Sequence, residues 1–292
     1  MSADTIASTS VQPATKKRGL SIRRKRKLKI HAAQIGFAVF ILGGWQLFAT
    51  NKWLGVDPFT YGKPTLIWDS LYAYFTKGDQ ATEFGSYWLQ IETTLREAGL
   101  GFLLGTAVGV VLGVLLGMNR FLAEVMDPYI KIFNSIPRIV LGEIFLVALG
   151  LGELPHLLLA AVLVFFVVFF NAFQGVREVD RNILANAKVL GAKRLAIVRH
   201  VILPSALTWI IASLHSAFGF ALTGAIVGEV IGAQRGLGLV IATDQGKFDS
   251  NGVYATMLVI AVLALAAEWI ITQVEHRLLS WRPPSPSETA SI

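Results

Sequence analysis

The sequence predicts an all-α membrane protein built on six transmembrane helices. Three observations carry that prediction. The 292 residues are 54% hydrophobic and only 15% charged, with a mean hydropathy of +0.58, whereas soluble domains carry about 25% charged residues. Several apolar runs reach the roughly 20 residues that a helix needs to cross a bilayer. The segments between those runs alternate in charge, as the positive-inside rule requires.

Residues 1–31 read as a basic, disordered cytoplasmic tail. Within the first thirty, nine basic residues (Lys16, Lys17, Arg18, Arg23, Arg24, Lys25, Arg26, Lys27 and Lys29) face only Asp4. That block carries +8 of a chain whose net charge is +7, so the remainder is slightly acidic. A basic excess confined to the edge of the first apolar run marks a cytoplasmic anchor against lipid headgroups and excludes a nucleic-acid-binding surface. The first span covers 32–50. It is long enough to cross and no small-residue cleavage site follows, so it reads as a retained helix rather than a signal peptide.

An outer segment, 51–97, follows, with Lys52, Lys63, Lys77 and Arg96 against six acidic residues. Within it, PTLIWDSLYAYFT (64–76) reads as a short amphipathic helix on the outer face. The second span, 98–117, is AGLGFLLGTAVGVVLGVLLG. Its Gly101, Gly105, Gly109, Gly113 and Gly117 recur every fourth residue. Small residues at that spacing let two helices approach closely in lipid; the partner is either a helix of the same chain or a neighbouring subunit. The third span, 127–151, is interrupted by Pro137, Arg138 and Glu143. The fourth covers 155–174.

The segment 175–205 has six basic residues against Glu178 and Asp180, which puts it inside. The fifth span covers 206–231, an outer segment 232–252, and the sixth span 253–274. The domain organisation is thus a tail (1–31), a membrane domain (32–282) and a flexible C-terminal tail (283–292). Both ends lie in the cytoplasm, and the residence is a multi-pass inner (plasma) membrane.

Catalytic chemistry finds little support. Cysteine is absent, which excludes disulfides, thiol catalysis and thiolate metal sites. No GxxxxGK[ST] phosphate loop occurs; GLGLVIATDQGKF (236–248) has glycines and a lysine at the wrong spacing. HExxH, GxSxG and kinase motifs are absent. None of His31, His156, His200, His215 and His276 is paired at metal-ligand spacing. No cofactor and no metal are expected.

Ionisable groups inside the spans are costly in hydrocarbon and normally face a bundle interior or a water-filled path. They are Arg138, Glu143, His215, Glu229 and Glu268. Glu143 reads either as a pathway residue or as the ion-pair partner of Arg138. His215 reads as a hydrogen-bonded packing residue or a substrate contact, and Glu229 as a helix-end or interface residue. Asn171 is a further polar candidate. The translocation-path set is therefore Arg138, Glu143, Asn171 and His215.

The inner segment NAKVLGAKRLAIVRHVILP (186–204) is punctuated as well as basic. Asp180 or Asn182 can cap a helix running to about Leu190. Gly191 allows a sharp turn. A second helix covers about 193–201, and Pro204 suits the first turn of the fifth span. Ala185, Ala187 and Ala192 leave a low-relief surface on which a partner could seat.

The pattern Ala185-Asn186-Ala187, three residues, Gly191, nine residues, then Val201-Ile202-Leu203-Pro204 resembles the EAA-loop signature of permease subunits of ABC importers. Ala187, Gly191, Leu203 and Pro204 match it; Ala185 stands where the signature has glutamate, and Asn186 where it has alanine. NSIPRIVLGEIFLVALGLGELPHLLLA (134–160), GVREVD (175–180) and GAIVGEVIGAQRGLGLVIA (224–242) are similar to the nitrate/sulfonate/taurine branch, which often has proline where Glu143 stands. The likeness spans about residues 60–282.

The resemblance implies a type I importer permease whose coupling helix docks on a cytoplasmic ATPase through Ala185, Ala187, Gly191, Ala192, Leu203 and Pro204. It also implies an extracytoplasmic substrate-binding protein, a second permease copy in a homodimer, and ATP hydrolysis in a separate subunit. The expected cargo is a sulfonate, taurine, nitrate or another organic anion. An uncharged or pyrimidine-type nutrient is the alternative. A self-contained secondary carrier or a membrane enzyme would each need a different signature.

Overall fold

A computed structural model of the chain describes residues 17–50 and 62–278. Residues 1–16 and the expected tail 283–292 lie outside the described residues. The chain divides into two compact units, one containing the first helix and the other containing residues 66–278. The elements among the described residues are all helices, with one isolated β-bridge between Thr82 and Gly85.

Helix α1 (Lys17–Thr50) begins inside the basic block rather than at residue 32. Lys and Arg are good helix formers, so the apolar span extends backward through them. The stretch Leu28–Thr50 is apolar and long enough to cross a bilayer.

In the second unit, α2 (Pro64–Thr76) occupies the segment expected to be amphipathic: Ile67 is buried while Trp68 and Tyr72 are exposed. Tyr74 stacks on Tyr87 with ring centroids 4.7 Å apart. A 3-10 turn, Gly78–Gln80, follows. Helix α3 (Tyr87–Met118) is capped by Ser86, whose side chain accepts from the Leu89 N–H at 3.3 Å. It starts eleven residues earlier than its apolar run, with Gln90, Thr94 and Glu97 buried in the added turns.

Helices α4 (Arg120–Ser135) and α5 (Val140–Leu149) stand where the interrupted third span, 127–151, was expected. They meet at a 90° bend. Pro137 explains the corner: a proline disfavours helical dihedrals in the residue before it, and Ile136 is extended at φ −73°, ψ 130°. The Val140 N–H then bonds the Pro137 carbonyl at 3.0 Å to start the next helix. Helix α4 also begins seven residues before the expected start of that span, capped by the Asn119 side chain, which accepts from the Leu122 N–H. Ten residues make α5 about 15 Å long, too short to cross alone.

Helix α6 (Glu153–Arg177) is the centre of the bundle, with Leu159, Ala160, Val164, Val168 and Ala172 fully buried. It packs between α3 and α9 (Leu203–Gly232). The glycine face of α3 turns to α6. A Cβ on Gly101 would sit 2.6 Å from Ala160 Cβ, and one on Gly113 or Gly117 would sit 2.8 Å from Ala172 or Val176. Gly105 abuts the Ala161 carbonyl and Gly109 meets Val168. The close-packing partner of this face is thus a helix of the same chain. Between α6 and α9 lie α7 (Arg181–Val189), α8 (Arg194–Ile197) and a π-wound turn, Val198–Ile202. After α9 the chain forms α10 (Leu237–Gly246), a helix inside the expected outer loop, and then α11 (Ser250–Leu278). Among the described residues, five helices are long and apolar enough to cross a membrane, or six with the bent α4–α5 pair counted as one span.

Candidate functional site

Three polar features interrupt the apolar bundle. The first is a buried knot where α3, α6 and α9 meet the start of α10. Helix α10 has no capping side chain of its own, because Gly236 occupies the N-cap. Its leading N–H groups are satisfied from neighbouring helices instead. Gly236 N–H donates to Gln90 Oε1 at 2.8 Å, Leu237 N–H to Thr94 Oγ at 2.8 Å, and Gly238 N–H to Glu229 Oε2 at 2.6 Å. The Thr94 hydroxyl donates in turn to Glu229 Oε1 at 2.6 Å. Glu229 is fully buried and faces the positive end of the α10 dipole. The glycines are obligatory here: at Gly236, φ is +119° and any Cβ would overlap the Glu229 carboxyl.

His156 extends the knot. Its Nδ1 lies 3.1 Å from Glu97 Oε1 and its Nε2 3.1 Å from the Gly232 carbonyl. Both residues are buried. Beside them lies a cavity of about 240 Å³, lined by Thr93, Glu97, Glu153, His156, Gln234 and Arg235.

The second feature is the elbow α7–Gly191–α8. Asp180 caps α7, accepting from the Asn182 N–H at 2.8 Å. Gly191 has φ +79°, and the Gly191 and Ala192 N–H groups close the helix end on the Lys188 and Ala187 carbonyls, both at 3.0 Å. Val189 and Leu190 are each 86% exposed. Ala185 is exposed, whereas Ala187 and Ala192 are half-buried. Pro204 sits in the first turn of α9, directly after the π-wound turn. The elbow therefore leads without a break into a long apolar helix.

The third feature is the scatter of polar groups along the spans. Arg138 bonds Asn134 and lies over the Phe166 ring, 4.5 Å from its centroid. It makes no ion pair with Glu143, which is exposed on α5 across the 90° corner. Asn171 bonds the Val167 carbonyl of its own helix at 2.8 Å. His215 bridges Glu268 at 2.6 Å and Glu275 at 2.9 Å, both on α11. Arg138 thus lies against α6, the helix that carries Asn171, while the His215 ring is engaged with α11.

On the face of α10, Tyr74 donates to Asp244 Oδ2 at 2.6 Å. Burial pushes the Asp244 carboxyl above the usual aspartate range, and burial and the bond to Asp244 push the Tyr74 phenol up. Sequence reasoning missed Gln90, Thr94, Glu97 and His156. The available signal was Glu229 followed by Gly236 and Gly238, a carboxylate with glycines at the distance of one tight return.

A bundle of long apolar helices, knotted by buried polar groups and carrying a protruding elbow, defines a polytopic membrane protein. Residues 105–280 match the family of binding-protein-dependent transport system inner membrane components, and the chain belongs to that family. A permease named for aliphatic sulfonates transport in Bacillus subtilis (strain 168) is 30% identical over 68% of this chain and 72% of its own length. The taurine transport system permease of Escherichia coli (strain K12) is 26% identical over 85% and 88%. The riboflavin transport system permease of Chloroflexus aurantiacus is 27% identical over 69% and 75%. Among solved structures, an inward-facing MetNI methionine ABC transporter chain superposes with a TM-score of 0.54 at 20% identity, covering 64% of this chain and 94% of that one. The protein is an ABC-importer permease in fold and family.

Proposed function

We propose that this permease carries a small organic anion of the sulfonate or taurine kind, delivered by a binding protein and driven by a separate ATPase that seats on the α7–Gly191–α8 elbow. The observation that carries the coupling role is the elbow itself: exposed apolar tips at Val189 and Leu190, a left-handed glycine at the turn, and direct continuity into α9. A push on the elbow is transmitted along α9 to α6, α10 and α11, which pack on it. Ala185, Ala187, Ala192, Leu203 and Pro204 complete the docking segment. The path runs past Arg138, Glu143, Asn171 and His215. Two copies form a homodimer around it. Residues 32–282 form the membrane domain, flanked by short tails. The charge bias of the loops supports cytoplasmic termini and an inner-membrane location.

The relatives named for sulfonates and taurine support the anionic cargo. The relative named for riboflavin favours the second reading, an uncharged nutrient. Gly191→Asp tests the coupling role. The substitution is expected to leave membrane insertion intact and to abolish uptake while ATP hydrolysis continues. Normal uptake in that variant would remove the elbow from the mechanism.

A further inference from the structure

We propose that α4 lines the inner half of the translocation path with a polar ladder that ends at Arg138. Arg120, Glu124, Asp127, Lys131 and Asn134 follow one another at steps of four, three, four and three residues, which places them on one stripe of the helix. Arg120 pairs with Glu124 at 2.9 Å and Lys131 with Asp127 at 2.5 Å. Asn134 then accepts from Arg138. The four charged side chains keep 56% to 86% of their surface exposed. The opposite stripe is apolar, and its Phe121, Val125, Tyr129, Ile132 and Phe133 are exposed as well. Ala123 is the one buried residue of α4. The helix thus has two unlike faces, and the chain covers neither.

Depth decides which medium each face meets. Helix α4 starts two residues after Met118, beside Gly117, which packs on Val176 near the end of α6. The loop charges put this end inside. Arg138 lies over Phe166, ten residues earlier in α6 than Val176 and so about 15 Å further along the bundle. That is about half of a hydrocarbon core. A helix resting in the inner headgroup layer would stay at one depth; α4 climbs. Charged groups at such depth face water or protein rather than lipid. The ladder therefore faces a wet inner vestibule, and the apolar stripe turns to the hydrocarbon.

Pro128, inside α4, supports the same side for water. It has no N–H to give the Glu124 carbonyl. A freed carbonyl at membrane depth needs a partner, and water along the ladder supplies one. The two ion pairs cancel in charge, so the ladder's net charge is that of Arg138, at its deep end. An anion then meets a wall of alternating charge with a guanidinium at its head. This role rests on the proposed path and on the inward orientation of that end, and it is independent of the elbow.

The sequence has no cysteine, so one introduced cysteine carries the only spin label. The full chain in lipid nanodiscs is labelled at one position at a time, and collisions with a water-soluble nickel chelate and with oxygen are measured. Nickel collisions should be several-fold more frequent at Asp127→Cys, Lys131→Cys and Asn134→Cys than at Val125→Cys, Tyr129→Cys and Ile132→Cys, where oxygen dominates. The oxygen-to-nickel ratio should rise from Phe121→Cys to Ile132→Cys as the helix climbs. A ladder shielded from nickel would overturn the proposal, and so would a flat ratio, which marks a helix lying in the headgroup layer. Asn134→Cys and Tyr129→Cys remove no ion pair, so that pair decides if the charged variants fail to fold. Uptake of labelled taurine by Arg138→Gln reads the path itself. A loss of uptake with the label pattern intact is expected. Unchanged uptake would overturn the path reading and this role with it, while the label data would still place the stripe in water.

Discussion

At the scale of single residues, glycines decide where this protein tolerates change. Gly236 has φ +119° and lies against the Glu229 carboxyl, whereas Gly150 has φ +81° with nothing within 4 Å of a Cβ. Gly150→Ala therefore carries only backbone strain, about 1–3 kcal/mol. Gly236→Ala adds overlap with a buried carboxyl and should cost a further 1–3 kcal/mol, roughly the range for overpacking. Thermal unfolding of both variants in the same detergent checks the ordering; equal losses would contradict it. Asp244 behaves differently. Its carboxyl is held above the usual range by burial, so it binds its proton more tightly folded than unfolded. Its contribution is present at low pH and lost as pH rises through the folded value. Asp244→Asn should flatten that loss in a melting series, with Tyr74 still donating to the amide oxygen.

At the scale of elements, the α3–α6 seam gives an internal control. Gly105 and Gly99 share one helix, but a Cβ on Gly105 would meet the Ala161 carbonyl and lie 2.8 Å from Val164 Cβ, while Gly99 faces open space. Gly105→Ala should destabilise the bundle by about 1–3 kcal/mol. Gly99→Ala should be neutral, or stabilising by up to about 1 kcal/mol from helix propensity. A chemical-denaturation or thermal series that fails to separate them would show that the seam is not where the chain is tightest.

The same seam shows what a sequence discloses. Its fourfold glycine repeat is a local signal, and so are the apolar runs, the Asp180 cap, Gly191 and Pro204. The 90° corner at Pro137 was half-visible: the proline marked an interruption, but the direction of the second half depends on packing of α5 against α6 and α9. The knot was not legible, because Glu97, His156 and Glu229 are separated by 59 and 73 residues and meet only when three helices align. Glu97 and His156 each looked ordinary in their own segment. Glu143 and Arg138 are the reverse case. They are close in sequence, yet Arg138, in the corner between α4 and α5, bonds Asn134 and lies over Phe166, while Glu143 is exposed on α5.

At the scale of the whole molecule, the parts divide by chemistry. The long helices supply an apolar body for the bilayer, the knot fixes α10 against them, and the proposed function makes the elbow the place where a separate ATPase docks. The coupling proposal has flux through this permease driven from the elbow. The direct test is uptake of labelled taurine or an aliphatic sulfonate into proteoliposomes holding the permease, its ATPase and its binding protein. Accumulation is expected to require ATP inside, to require the binding protein outside, and to disappear with Gly191→Asp while hydrolysis persists. Accumulation that continues without ATP or without the ATPase, driven by an ion gradient alone, would contradict it.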